Sequence, residues 1–398
     1  MIFKGNNSSL SSEIEEFDVI ICGGGPGGST CALAFKDSGL RVAVIEKSSF
    51  PRAKVCGDAF APYIVKALDK ISPEYGNALR AFKHPFQTSK LSVTSYNGTQ
   101  RTFEFPESFF VASRYDFDNF LFDLASKLPN VTYFQNSQVN QVSTNENWAE
   151  VTTKQGQIFR AKLVVGCDGA TSLVRRSLTD FKVNPELNLP AVRAYFEGVS
   201  GVESDTLEVY FNKKFPVGYL WVFPSHGGTA NVGFGIPSDV AINQKVNLRE
   251  ELLTLIEESP ILKERFKNAK LVGEIGGWTI PFGYNSYPIS GNRFMLVGDA
   301  ASIADPLSGE GIGLAVVSGR IAAFHAIKCF KKRNFSANYM KGYDKDMENK
   351  FGSLLRRREF FSNLIGKYPW VLDTLVSIGG SPKWLSKPFL ATIMKLGQ

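Results

Sequence analysis

The 398-residue chain reads as an α/β protein with a second unit of mixed β-sheet inserted into it and a helical C-terminal segment. Three observations predict this class. Residues 17–22 (FDVIIC) and 41–46 (RVAVIE) are short apolar, β-branched runs on either side of a glycine turn and a helical stretch, which is a β-α-β unit. Residues 190–284 are mostly strand-like and rich in aromatics, a different texture from what precedes them. After residue 293 comes one more apolar strand (RFMLVG), then a long helix over roughly 311–330.

The elements follow in order. Segments 90–95 and 101–105 alternate around Asn97-Gly98, the signature of a hairpin. Phe117, Phe120, Leu121 and Leu124 share one face of a helix over 116–127. Residues 131–165 supply several short strands ending in LVVG, and a helix near 247–267 interrupts the aromatic strands. The expected division is 1–85, 106–185 and 285–330 for the nucleotide-binding unit, 86–105 and 186–284 for the inserted unit, and 331–398 for a basic helical tail.

Composition narrows the function classes. Hydrophobic residues at 43% and charged residues at 21% exclude a disordered chain and a disulfide-stapled mini-protein. Five cysteines (22, 31, 56, 167, 329) without a CxxC pair, and three histidines far apart, predict neither a disulfide framework nor a metal site. The first 16 residues lack the apolar core of a secretory signal, and no run approaches ~20 uncharged apolar residues. The expected location is cytoplasmic. Residues 331–398 hold 13 Lys/Arg against 5 Asp/Glu, leaving 32 against 33 in the rest, so the net +7 belongs to the tail. No nucleic-acid-binding motif accompanies it, and none is expected to bind.

The glycine turn carries the first chemistry. Gly23-Gly24-Gly25-Pro26-Gly27-Gly28 is GxGxxG directly after a strand and at the start of a helix with small first residues. Gly23 permits the tight turn, Gly25 lets a diphosphate approach the backbone, and Gly28 lets helix and strand pack closely. Glu46 ends the second strand, where a carboxylate can accept from both hydroxyls of an adenosine ribose. The pattern predicts dinucleotide binding.

Two later strings say which dinucleotide. Cys167-Asp168-Gly169-Ala170-Thr171-Ser172-Leu173-Val174-Arg175 and Gly298-Asp299-Ala300-Ala301 each follow a strand. With them the chain resembles the para-hydroxybenzoate hydroxylase-like flavoproteins, whose DGxxSxVR and GDAA motifs match at these positions. The resemblance implies a glutathione-reductase-like FAD-binding Rossmann domain, with Asp168 in the site and Asp299 bonding a ribityl hydroxyl. It also places Arg114, in Val111-Ala-Ser-Arg114-Tyr-Asp116, near the FAD diphosphate. The helix opening at Ser308-Gly-Glu310-Gly311-Ile-Gly313 has N–H groups and a dipole suited to the flavin N1/O2 edge.

Two more strings resemble the geranylgeranyl reductase family specifically: Lys54-Val-Cys56-Gly57-Asp58 and Tyr219-Leu-Trp221-Val-Phe223-Pro224. Alternation puts Tyr219, Trp221 and Phe223 on one strand face, enough for an aromatic wall around an apolar chain. The resemblance places Cys56 at the flavin's reactive face, in a positioning or tuning role, because an unperturbed thiol is too weak an acid to protonate an alkene unaided. Lys54 has two candidate partners, a phosphate and Asp58. The other four cysteines read as packing residues.

The implied activity is FAD-dependent reduction of C=C bonds in a prenyl or polyprenyl lipid. The alternatives are a flavin monooxygenase or halogenase on an aromatic or polyketide substrate, and a flavin-containing binding or redox-sensing protein. The halogenase string WxWxIP is half matched: Trp278 fits the second tryptophan and Gly276 stands at the first. No second GxGxxG exists, so the electron donor is either NAD(P)H visiting transiently or a reduced carrier such as a ferredoxin or quinol.

In the tail, Leu354, Phe361, Leu364, Ile365, Tyr368, Leu372 and Leu375 recur at helical spacings beside Arg356, Arg357 and Arg358, with Lys383, Trp384, Lys387 and Lys395 farther on. Two readings stand together: a helical layer packed on the flavin domain, and a peripheral surface facing the inner leaflet of a membrane.

Overall fold

A computed structural model describes residues 14–82, 86–180, 184–284 and 287–378. Among these residues the strands form sheets of six, eight and four. The six-stranded sheet runs Ser290–Gly291, Phe294–Leu296, Leu163–Gly166, Val19–Cys22, Val42–Ile45, Val131–Phe134, all parallel after the first pair. Its central strands VIIC, VAVI and LVVG are buried at every position, as apolar runs must be in a parallel sheet covered on both faces. The helices Pro26–Leu33 and Ile312–Lys332 pack against each other over this sheet. Both helix starts therefore open near the carboxyl ends of the strands, where open α/β sheets bind ligands.

The eight-stranded sheet has the order Lys270–Pro281, Asn188–Glu197, Thr229–Gly235, Tyr219–Pro224, Thr206–Tyr210, Phe86–Thr94, Gln100–Val111, Ala59–Phe60. It is mixed, because Thr206–Tyr210 runs parallel to Phe86–Thr94 while the other pairs are antiparallel. The hairpin closes as expected, with Thr94 opposite Gln100 and Gly98 at φ +85. Its second strand runs to Val111 and so crosses the expected boundary at 105–106.

One face of this sheet is covered by Leu248–Glu258 and Pro260–Phe266, whose Leu252, Ile256 and Leu262 are buried with Val222, Val232 and Phe234. The expected single helix is two, because Pro260 has no N–H to continue the first; Ser259 caps the second by accepting from Leu262 N at 3.3 Å. On the other side, Ile365, Leu372 and Val376 from the C-terminal helices Ser353–Lys367 and Pro369–Ile378 pack with Val93, Phe103 and Phe105. A four-stranded sheet (Ile14–Glu16, Ile158–Ala161, Ala149–Thr153, Val139–Thr144) flanks the molecule. By length and composition Ile312–Lys332 is apolar enough to cross a membrane, but 67% of its apolar window is buried inside the protein, as for a core helix.

Candidate active site

A cavity of about 1280 Å³ runs along the carboxyl ends of the six-stranded sheet and continues into the gap between the eight-stranded sheet and the C-terminal helices. Gly23, Gly25, Glu46, Arg114, Asp168, Gly298, Asp299, Gly311, Cys56, Tyr219 and Trp221 all line it. The cavity thus brings together residues from six separate sequence regions.

At one end lies the glycine turn. Gly23 has φ +100, and a side chain there would strike the Cys167 carbonyl; one at Gly28 would strike Gly23 O. The helix Pro26–Leu33 starts at Gly25 with no side-chain cap, so its first N–H groups lack side-chain acceptors. Glu46 is 4% exposed and accepts from Gly24 N at 2.8 Å and Ser48 N at 3.0 Å, so it braces the turn as well as lining the cavity. Two guanidinium groups converge nearby on Asp118: Arg114 through paired bonds of 2.5 and 2.6 Å, and Arg52 at 3.1 Å. Arg52, which also lines the cavity, was not among the expected residues; it belongs to no spaced motif.

The two aspartate turns play different parts. Burial pushes the Asp168 carboxyl up while Ser172 Oγ (2.5 Å), Leu173 N (2.6 Å) and Val174 N (3.1 Å) pull it down. Those donors make Asp168 a helix-start brace. Arg175 joins the motifs: its guanidinium donates to Ala170 O at 2.7 Å and Ala300 O at 3.2 Å. Asp299 faces the cavity with Lys54 Nζ at 3.6 Å.

At the start of the long helix, Glu310 folds back and accepts from Gly313 N at 2.5 Å and Tyr63 OH at 2.7 Å. Gly313 N–H is therefore occupied by a side chain, a departure from the expectation that it is open to a flavin. Gly313 stands against the Tyr63 ring, whereas Gly311 and Ile312 line the cavity. Burial raises the Glu310 carboxyl, against the Tyr63 and backbone donors.

At the other end, Tyr219, Trp221 and Phe223 line the wall together, with ring centres 6.0 and 6.2 Å apart along the strand. Tyr219 OH donates to Ser308 O, tying the wall to the loop before the long helix. Burial raises the Cys56 thiol, outweighing Arg114, so it stays protonated through neutral pH. Of its two candidate partners Lys54 does not pair with Asp58: it pairs with Asp299 and lies 5.3 Å from the Trp278 ring centre, while Asp58 bonds Tyr195 and Asn231. Cys167 also lines the cavity, whereas Cys22, Cys31 and Cys329 are buried packing residues.

The tail arginines divide. Arg358 is 2% exposed and ion-paired to buried Asp305, Arg356 pairs with Glu348 at 2.7 Å, and Arg357 is exposed with Nε donating to Ser353 O. Of the two readings of this segment, Arg358 takes the packing one, because its pair with Asp305 anchors the helix to the loop carrying Ser308 and Glu310, while Arg356 and Arg357 stay on the surface. Lys383, Trp384, Lys387 and Lys395 lie outside the described residues.

This donor set fits FAD. Glu46 keeps lone pairs for ribose hydroxyls beyond the two N–H groups it accepts. Arg52, Arg114 and the uncapped helix start suit a diphosphate, and Asp299 suits a polyol hydroxyl. Trp278 Nε1 is a buried donor without a protein partner among the described residues, and Trp278 lines the same cavity.

The comparisons agree. The family described as FAD binding domain matches residues 16–323. A digeranylgeranylglycerophospholipid reductase of Thermoplasma acidophilum is 30% identical over 346 residues, covering 85% of each chain. A geranylgeranyl diphosphate reductase of Rhodobacter capsulatus is 30% identical over 331 residues, covering 79% of this chain and 76% of the relative. Among solved structures, a geranylgeranyl bacteriochlorophyll reductase-like protein of Thermoplasma acidophilum superposes with TM-score 0.82 at 25% identity, covering 95% of this chain and 96% of that one. The halogenase PltM superposes with TM-score 0.75 at 18% identity over 95% of this chain and 81% of that one, a likeness of fold.

Proposed function

The chain belongs to the geranylgeranyl reductase family of FAD-binding oxidoreductases, and from that premise we propose that it saturates C=C bonds of a prenyl or polyprenyl lipid. The observation that carries this reading is the apolar arm of the cavity. Leu91, Val93, Phe103, Phe105, Val209 and Phe211 form one side and Phe361, Ile365, Leu372 and Val376 the other, and the arm opens onto Cys56 and Trp221. Such a channel holds a long hydrocarbon by burying its surface at about 25 cal/mol per Å².

Reduced FAD, when bound, supplies the hydride. The protein's residues do the rest. An isolated alkene takes hydride only as positive charge develops on carbon, so proton delivery leads or accompanies it. Tyr219 and Trp221 line the cavity, and an aromatic ring face beside the developing charge lowers its energy. Glu310, held by burial in a state that keeps a proton more readily than a free carboxylate, is our candidate for the acid, with Tyr63 as its hydrogen-bonded relay. Cys56 shapes the wall as a neutral thiol.

We place the electron donor outside the chain, as transient NAD(P)H or a reduced carrier. We also infer a peripheral membrane contact. The two helices that line the arm, with the Tyr368 link between them, expose Phe360 (63%), Tyr368 (42%) and Trp370 (64%) beside exposed Arg357 and Lys367. The test of function is product mass: dithionite-reduced enzyme given a geranylgeranyl lipid yields product heavier by two hydrogens per bond. Unchanged lipid, with an aromatic substrate gaining oxygen or halide in air, overturns the reading in favour of the monooxygenase or halogenase.

A further inference from the structure

The turn carrying Cys56 is anchored by a buried network whose Asp58, Tyr195, Asn231 and Arg193 have no role in the mechanism above. Asp58 is 1% exposed and sits at φ +65, a left-handed conformation that aspartate tolerates better than most residues. Its neighbours Cys56, Gly57 and Ala59 line the cavity. Asp58 Oδ2 accepts from Tyr195 OH at 2.5 Å and from Asn231 Nδ2 at 2.8 Å. Asn231, fully buried, also donates to Cys56 O at 2.9 Å and accepts from Trp221 Nε1 at 3.0 Å. Arg193 Nε donates to Cys56 O at 3.0 Å.

One amide thus holds the backbone of the cysteine turn and the indole of the aromatic wall, and one carboxylate holds that amide. Tyr195, Asn231 and Trp221 stand on adjacent strands of the eight-stranded sheet, so the sheet supplies the rigidity. We propose that Asp58 is a positioning residue for prenyl reduction: acting through Asn231, it locks the Cys56 turn and the Trp221 indole into one arrangement at the cofactor end of the apolar arm. The proposal rests on the reductase reading, but its geometric content can be measured without turnover.

The experiment compares Asp58→Asn and Asp58→Gly in FAD-loaded protein. Both accept the left-handed backbone, but only asparagine keeps an oxygen for Tyr195 and Asn231. The first readout is the rate at which a small maleimide labels Cys56, with the site assigned by mass spectrometry. The second is kcat and KM for a geranylgeranyl lipid. Asp58→Gly should keep its FAD, label about tenfold faster at Cys56, and lose kcat by ten- to a hundredfold, the scale expected of a misplaced active-site group, with a smaller rise in KM. Asp58→Asn should stay within about threefold of wild type on both. Wild-type labelling and kcat in Asp58→Gly overturn the proposal, as does an Asp58→Asn variant impaired as much as Asp58→Gly. If Asp58→Gly does not fold, Tyr195→Phe decides: faster Cys56 labelling supports the anchor and an unchanged rate overturns it. Failure of wild type to reduce any prenyl lipid removes the reductase reading, while the labelling still decides whether Asp58 holds the turn.

Discussion

Burial lifts the carboxyl of Glu310 above its ordinary range, and Tyr63 OH and Gly313 N–H, both donating to it, limit that rise. If Glu310 delivers the proton, the required form is the protonated one, and activity declines as pH climbs through its raised pKa. A pH series of kcat should show that alkaline limb in wild type. Glu310→Gln should lose the limb and about a hundredfold in kcat while FAD stays bound; a variant with the same limb assigns the proton to another group. At Glu46 the expected outcome is harsher. Glu46→Arg removes the acceptor for Gly24 N and sets a third cation beside Arg52 and Arg114, so the purified variant should be colourless where wild type is yellow. Undiminished flavin absorbance would contradict the cofactor assignment. Gly23, Gly25 and Glu46 were legible as cavity residues because a short spacing and a strand end mark them, and Asp299 through the motif that resembles the flavoprotein one, whereas Gly28 and Gly313 do not line the cavity. Asn231 and Tyr195 were not, since they reach Asp58 across 173 and 137 residues, and no local pattern records such pairs.

At the scale of elements, the C-terminal helices are part of the cavity wall. Their apolar spacing was readable; the side that faces the cavity was not, because the choice depends on strands far earlier in the chain that supply Val93, Phe103 and Phe105. The Arg358–Asp305 pair fixes this packing. Arg358→Met leaves a buried carboxylate without its cation and should lower unfolding stability by about 3–5 kcal/mol, measured by denaturant titration. A loss within experimental error would mean the pair is not what seats the helix. On the opposite wall, Trp221→Ala should reduce turnover of a long prenyl lipid while retaining FAD, because the strand Tyr219–Pro224 contributes no phosphate-binding turn. Flavin loss with unchanged turnover per bound flavin would place the strand outside the substrate arm.

For the molecule as a whole, the peripheral membrane contact proposed for the two C-terminal helices, which line the cavity and carry exposed aromatics and cations, is open to a direct binding test. Binding to anionic vesicles should weaken with salt. Each basic residue near the surface contributes about 1 kcal/mol, so Arg357→Gln with Lys367→Gln should weaken it roughly thirtyfold. Equal binding to neutral vesicles, or none at low salt, would leave these helices with the packing role alone. Prenyl reduction, as proposed, requires that hydride from this flavoprotein pass to a C=C bond of a prenyl chain. Its direct measurement is strictly anaerobic: FAD-loaded protein is bleached with one equivalent of dithionite, and a geranylgeranyl lipid is added. The oxidised flavin band should return as the lipid gains two hydrogens, and more slowly in Trp221→Ala. A band that stays bleached with every prenyl lipid and returns only when oxygen is admitted would contradict it.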